Sequence, residues 1–318
     1  MDKKTNTKAN IKKSTPIKET NNKVSRKPDN AIFKVSVDKF QKNLHRYKID
    51  FHDAANHVVP IMLTSDWHFD NPKTNRALLF KHLDDVKEKN GLIIINGDTL
   101  CLMQGKYDPR RSKGSVRLEH NGDNYLDLVI NDTADKLLPY ANNILQINVG
   151  NHESAVSQKT ETDVLQRLVE RINTLANTNI QLGSYMGMII LSFKGKNTTT
   201  NSLNVAYSHG HWGGVISKGT QASMRYAQMF PDADVVISGH THDSWIMPLN
   251  RYKYNQNNMT FDIKTQWHIK TGTYKEEFEE GSGWAVEKIG TPKNLGSCMM
   301  DVFYDRHNPL RYEFKLIS

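Results

Sequence analysis

Cysteine is scarce in this chain, which has only Cys101 and Cys298 among 318 residues. Two thiols exclude a disulfide framework and a cysteine-rich zinc fold, and they suit a reducing compartment. Each reads as a small buried hydrophobe. Long apolar runs are missing, so no segment has the length of a membrane span. The first residues contain no apolar centre of the secretory kind, so the expectation is a cytoplasmic protein with no membrane partner. There is no internal repeat.

Positive charge is not spread over the chain. The formal net charge is +8, and residues 1 to 30 supply +6 of it, with nine Lys or Arg against three Asp or Glu. The rest carries only +2, which leaves no broad basic stripe for a nucleic-acid groove. Residues 1–30 are rich in Lys, Asn and Thr and poor in large apolar side chains, so burial cannot offset their ordering entropy. They are expected to form a disordered basic tail, followed by a single domain over 31–318. Such a tail can touch nucleic acid or another acidic surface, or be a solvated extension without a role.

What is present is a series of short apolar runs of strand character. "AIFKVSVDKF", "HVVPIMLTSDWHFD", "GLIIINGD" and "NILQINVGNHE" come early. Helical spacing separates them, through Leu78, Leu79, His82, Leu83 and Val86, again from Tyr125 to Tyr140, and over residues 161–177. The later chain is richer in strands, including "GMIILSF", "LNVAYSHGH", "DVVISGHTH", "KTQWHIKTG", "SCMMDVFY" and "RYEFKLI". "KGKNTTTNS" reads as a hairpin loop. Alternation first and strands later predict an α/β protein whose sheet layers are covered by helices.

Five of the runs end in polar residues of one chemical type. They are "SDWHFD" with Asp66 and His68, "NGDT" with Asp98, "VGNHES" with Asn151 and His152, "YSHGHW" with His209 and His211, and "SGHTHD" with His240 and His242. Carboxylate, amide oxygen and imidazole suit divalent metals of intermediate hardness. Glycine adjoins four of the five sets, as sharp turns beside a crowded site require. If the strands continue extended, residues i and i+2 face one side, roughly 6.5–7 Å apart. His240 and His242, or Asp66 and His68, then converge on one ion or serve two ions roughly 3.5–4 Å apart. His82, His120, His268 and His307 fall outside the pattern and read as ordinary surface or core histidines.

The ordered set D-x-H, G-D, G-N-H-E, H-G-H and G-H-x-H resembles the calcineurin-like metallophosphoesterases from about residue 60 to 243. The segments "MQGKYDPRRSKG" and "GSGWAVEKIGTPKNLGS" are similar to parts of phage-encoded members, which would place the protein in a bacterial host's cytoplasm. The resemblance implies a four-layer αββα sandwich of two mixed β-sheets flanked by helices, with a dinuclear metal centre. It implies Asp66, His68 and His242 on one metal, Asn151, His209 and His240 on the other, and Asp98 bridging both. His152 would be the catalytic imidazole. "GDTLCLMQG" departs from the common pattern, in which a further acidic or Asn residue follows G-D.

The implied reaction is hydrolysis of phosphoester bonds by a metal-bridging hydroxide. The substrate is a phosphodiester or DNA in one reading and a phosphomonoester of protein or small-molecule origin in another; a non-catalytic metal-binding scaffold is a third. Manganese is the first expectation for the two ions, with iron, zinc or nickel compatible with the same ligands. His211 is a substrate-facing or supporting residue. Arg110 and Arg111 offer forks that suit phosphate oxygens, against the plainer reading of a solvated basic loop. Oligomeric state is not legible.

Overall fold

The computed structural model describes residues 32–103, 116–211, 217–278, 284–287 and 290–318. The basic tail over 1–30 lies outside the described residues. The chain opens with a hairpin of β1 (Phe33–Gln41) and β2 (Leu44–Phe51), then β3 (His57–Thr64) and α1 (Arg76–Glu88). β4 (Leu92–Asn96), α2 (Tyr125–Leu137), β5 (Ile144–Asn148), α3 (Asn151–Thr160) and α4 (Val164–Ala176) follow. The second half contains β6 (Gln181–Gly183), β7 (Met186–Lys194), β8 (Asn201–Ser208), α5 (Thr220–Met229) and β9 (Val235–Ser238). A long hairpin of β10 (Ser244–Asn255) and β11 (Thr260–Thr271) precedes β12 (Ser297–Tyr304) and β13 (Arg311–Ile317).

These strands form two mixed sheets. One has seven strands in the order β1-β2-β7-β8-β9-β11-β10, and the other six in the order β13-β12-β3-β4-β5-β6. The packing of β4 shows why its sequence, "LIIIN", is apolar throughout. Leu92 and Ile94 point into the core between the sheets, beside Ile189, Val205 and Ile237, while Ile93 and Ile95 point to the helix side. A strand covered on both faces needs no polar alternation. The helix-side core is completed by Leu79 and Leu83 of α1, Val129 of α2 and Leu165, Leu168 and Ile172 of α4. On the far side α5 covers the seven-stranded sheet through Tyr226, packed with Ala206 and Val236. The molecule is therefore an α/β sandwich of two mixed sheets flanked by helices.

Local signals explain several boundaries. Asn75 caps α1 by accepting from the Leu78 amide at 3.0 Å, and Asp163 caps α4 through the Gln166 amide at 2.9 Å. The loop at 194–202 joins the antiparallel pair β7 and β8, as its composition suggests. Several elements were not legible in advance, among them β2, α3, β6, α5 and β10. In β2 the inward positions are His45, Tyr47, Ile49 and Phe51, and a buried histidine interrupts the apolar alternation.

Parallel pairing of β3, β4 and β5, and of β8 with β9, puts their carboxyl ends on one edge of the sandwich. All five polar sets of the sequence sit just beyond those ends. This is the general location of ligands in such sheets.

Candidate metal centre

The loops after β3, β4, β8 and β9 are tied to one another by backbone bonds. The Asp66 amide donates to the Gly97 carbonyl and the His68 amide to the Asp98 carbonyl, both at 3.0 Å. The Gly239 amide donates to the His209 carbonyl at 2.8 Å. The His240 amide donates to Oδ2 of Asp66 at 2.9 Å. Lys270, buried on β11, donates its ammonium to the Gly239 carbonyl and holds the G-H-T-H turn from below.

The backbone here is not extended, contrary to the sequence expectation for the i, i+2 pairs. β3 ends at Thr64 and β9 at Ser238, and the polar residues lie in turns beyond them. Asp66, His68, Asp98, His240 and His242 have φ of 51°, 45°, 49°, 73° and 58°. This left-handed region costs an L-residue about 1–3 kcal/mol, so the surrounding hydrogen bonds must hold it in place. Asp66 and His68 join one group, whereas His240 and His242 go to separate groups.

Two of the glycines are explained by close approach. A Cβ on Gly150 would fall on the Asp98 carboxylate, and one on Gly239 would fall on Ser65 and the Asp66 carboxylate. Beyond Gly150 the chain enters α3 at once. Asn151 and His152 occupy its first turn. The His152 amide points at Oδ1 of Asp98 at 3.0 Å, so the positive end of the helix faces that carboxylate. Glu153, fully buried, accepts from the amides of Gly150, Asp98 and Leu100 at 2.9, 3.2 and 3.0 Å. It fastens the β4 loop to the β5 loop.

The functional atoms form two adjacent groups. In the first, Nε2 of His68 and Nε2 of His242 face each other at 3.1 Å, with Oδ1 of Asp66 3.9 and 3.5 Å from them. In the second, Oδ1 of Asn151 lies 3.0 Å from Nε2 of His209 and 2.7 Å from Nδ1 of His240. Oδ2 of Asp98 is 3.1 Å from the same His209 nitrogen. The groups are in contact, because Oδ1 of Asp66 is also 3.9 Å from His209. His152 stands over the pair, with Nδ1 donating to the Cys101 carbonyl at 2.5 Å and Nε2 3.8 Å from Asp98.

Electrostatics support a cation site. Burial pushes the Asp98 carboxyl up, but His209 and His152 outweigh it and hold it well below its usual range. Burial opposes a proton on His209, yet Asp98 and Asp66 raise its pKa to about 9. His242 is raised to about 9 against the same burial cost, by Asp66 and Glu277. Burial, reinforced by His209, lowers His240 to about 4. Two buried carboxylates therefore demand positive charge, and imidazole, carboxylate and amide donors converge where it would sit. Two candidate metal-binding clusters are thus present, and their donor chemistry fits divalent ions.

Other groupings are less suited to an ion. Cys101 lies beside His68 and His152, but burial pushes its thiol up to about 12 and keeps it neutral. Glu119, His120 and Asp132 cluster as well, and there Arg76 already holds both carboxylates at 3.0 Å.

His211 is exposed and belongs to neither group. Arg110 and Arg111 lie outside the described residues. The structure adds Glu277, whose Oε2 is 3.1 Å from Nδ1 of His242 and whose Oε1 is 3.1 Å from Lys275. No sequence motif marks it. Glu153 did carry a signal, as the last letter of "GNHE".

A model of the calcineurin-like phosphoesterase family matches residues 59–244. Among solved structures, a conserved uncharacterised protein and predicted phosphoesterase from Streptococcus pneumoniae TIGR4 is similar at 12% identity, with 82% of this chain and 99% of that one covered and a TM-score of 0.31. Zinc-complexed Vps29 from Entamoeba histolytica matches at 10% identity over 81% of this chain and 99% of its own, TM-score 0.33. A metallophosphoesterase from Sphaerobacter thermophilus matches at 12% identity over 82% and 89%, TM-score 0.33. No curated protein matches.

Proposed function

The chain belongs to the calcineurin-like phosphoesterase family, and on that premise we propose that it hydrolyses phosphodiesters, DNA among them, with two divalent cations bound. The observation that carries this reading is the contact between the two donor groups, with Asp66 and Asp98 buried between four imidazoles and the Asn151 amide. Asp66, His68 and His242 would hold one cation. Asn151, His209 and His240 would hold the other, with Asp98 shared. Cations bound there supply Lewis acidity toward the phosphate and lower the pKa of water. Manganese is the ion of choice in this proposal.

The protein's own residues do the rest. Asp98 offers two anionic oxygens to offset repulsion between neighbouring cations. Asn151 offers a neutral oxygen and so leaves its cation more electrophilic. His152, fixed by its bond to the Cys101 carbonyl, turns Nε2 toward the site and transfers a proton to the departing oxygen. His211 would touch substrate from the rim.

Charge favours a diester over a monoester. Three lysines around the site are committed elsewhere, Lys275 to Glu277, Lys293 to Asp243 and Lys270 to the Gly239 carbonyl. Among the described residues, none of these is left to take the second charge of a monoester. The basic tail over 1–30 would add affinity for DNA.

Turnover of manganese-loaded protein on bis-p-nitrophenyl phosphate, p-nitrophenyl phosphate and single- and double-stranded DNA tests the reading. A diester preference of at least about tenfold is expected, equivalent to about 1.4 kcal/mol in the barrier. The reverse preference would assign a monoesterase. Two bound ions without turnover on any ester would leave a scaffold.

A further inference from the structure

The hairpin of β10 and β11 is longer than the sheet it belongs to. β9 pairs only with Trp267–Lys270 of β11, so the part of the ribbon beyond Gln266 extends past the sheet as two strands alone. Directly opposed residues share a face. The register Tyr252↔Ile263 and Tyr254↔Phe261 puts these four side chains together, and the same face enters the inter-sheet core lower down at Trp267 and Ile269. They are 77%, 69%, 50% and 69% exposed, and Met259 at the tip is 74% exposed. The charged pairs Arg251↔Lys264 and Lys253↔Asp262 occupy the opposite face.

A solitary two-stranded ribbon is marginal in water, and none of the described residues covers the apolar face of this one. With 150–250 Å² per large side chain, the five residues expose on the order of 600 Å². That reaches the top of the range for the largest patch on a monomer, and approaches the roughly 800 Å² that each partner contributes to a stable interface.

We propose that this face is a dimer interface, on which the ribbons of two copies of the chain stack apolar face to apolar face about a two-fold axis. A self-complementary face must be free of net charge, because any charge near the axis meets its own copy. This face meets that condition, and both copies keep Arg251, Lys253, Asp262 and Lys264 in water. Nucleic acid fits poorly, since the cations lie on the face away from the aromatic rings. The ribbon also leaves the metal centre at Ser244 and runs away from it for roughly 35 Å at 3.3 Å per residue.

Light scattering and sedimentation of the full chain at tens of micromolar test this. Wild type should show twice the 36.4 kDa chain mass. The double variant Tyr252→Lys, Phe261→Glu should be monomeric, its dimer dissociation constant raised at least about a hundredfold. Its far-ultraviolet circular dichroism and metal stoichiometry should be unchanged, and its melting temperature should lose the concentration dependence of the wild type. Ile263→Cys should cross-link between copies with a short bismaleimide, since Cys101 and Cys298 are buried and silent. A monomeric wild type, a variant that remains dimeric, or a wild-type dimer that Ile263→Cys fails to cross-link would each overturn the proposal. So would a wild-type monomer whose ribbon binds DNA in a fluorescence anisotropy titration.

Discussion

Oε2 of Glu277 lies 3.1 Å from Nδ1 of His242, while the other nitrogen of that ring faces His68 at 3.1 Å. A carboxylate on one ring nitrogen fixes the tautomer and aims the second nitrogen at whatever it binds. Burial would raise the Glu277 carboxyl, but His242 and Lys275 hold it down at about 2, so it is ionised. Glu277→Gln keeps the shape and removes the charge. Calorimetric titration of the metal-free protein with manganese should show one of two sites weakened by roughly 10- to 100-fold. Equal weakening of both sites, or of neither, would reject a role through His242.

His152 is expected to act on the leaving group and not on metal retention. His152→Ala should keep its metal content by elemental analysis. Its turnover should fall by about tenfold on an aryl diester and about a hundredfold on an alkyl diester, because proton donation matters more as the leaving oxygen becomes more basic. A loss independent of the leaving group would assign His152 a purely electrostatic or structural part.

Asp98 should behave differently. It meets the Asn151–His209–His240 group directly and accepts from the first turn of α3. On the proposed arrangement Asp98→Asn would leave one anionic oxygen fewer for the two cations, so metal content should drop below two ions per chain, with turnover down by at least about a hundredfold. Full loading with normal turnover would remove Asp98 from the centre.

The contrast between these residues explains what the sequence could reveal. Asp66, His68, Asp98, Asn151, His209, His240 and His242 each follow an apolar strand within a short motif, and strand ends are where parallel sheets gather side chains. Glu277 approaches His242 from a segment 35 positions downstream that carries no pattern. The left-handed turns at Asp66 and His240 were illegible because they depend on bonds from distant loops, such as Gly97 to Asp66. Helix α3 was hidden for another reason. Only Glu153 in it is buried, so there is no apolar periodicity to read. The hairpin β10–β11 showed only its inner strand in advance, since most of β10 faces outward.

Two buried histidines away from the candidate metal centre should make stability depend on pH. His45 and His268 are fully enclosed, and desolvation lowers the pKa of each from 6.5 to about 4. In the unfolded chain both rings take up a proton near pH 6.5; in the folded chain they do not until about pH 4. Between these values the unfolded state binds more protons, so stability must fall as pH drops. Each histidine should contribute a loss on the order of 2 kcal/mol by pH 5. Chemical denaturation of metal-free protein at pH 7, 6 and 5 should show that decline. His268→Gln, which keeps a polar group beside Gln266, should make the slope shallower without abolishing it, because His45 and the equally lowered His240 act with the same sign, whatever it does to stability at pH 7. An unaltered slope would mean that the acid sensitivity originates elsewhere, as at His68 and His240, whose pKa values are also lowered, and not at His209 or His242, whose raised values give a dependence of opposite sign.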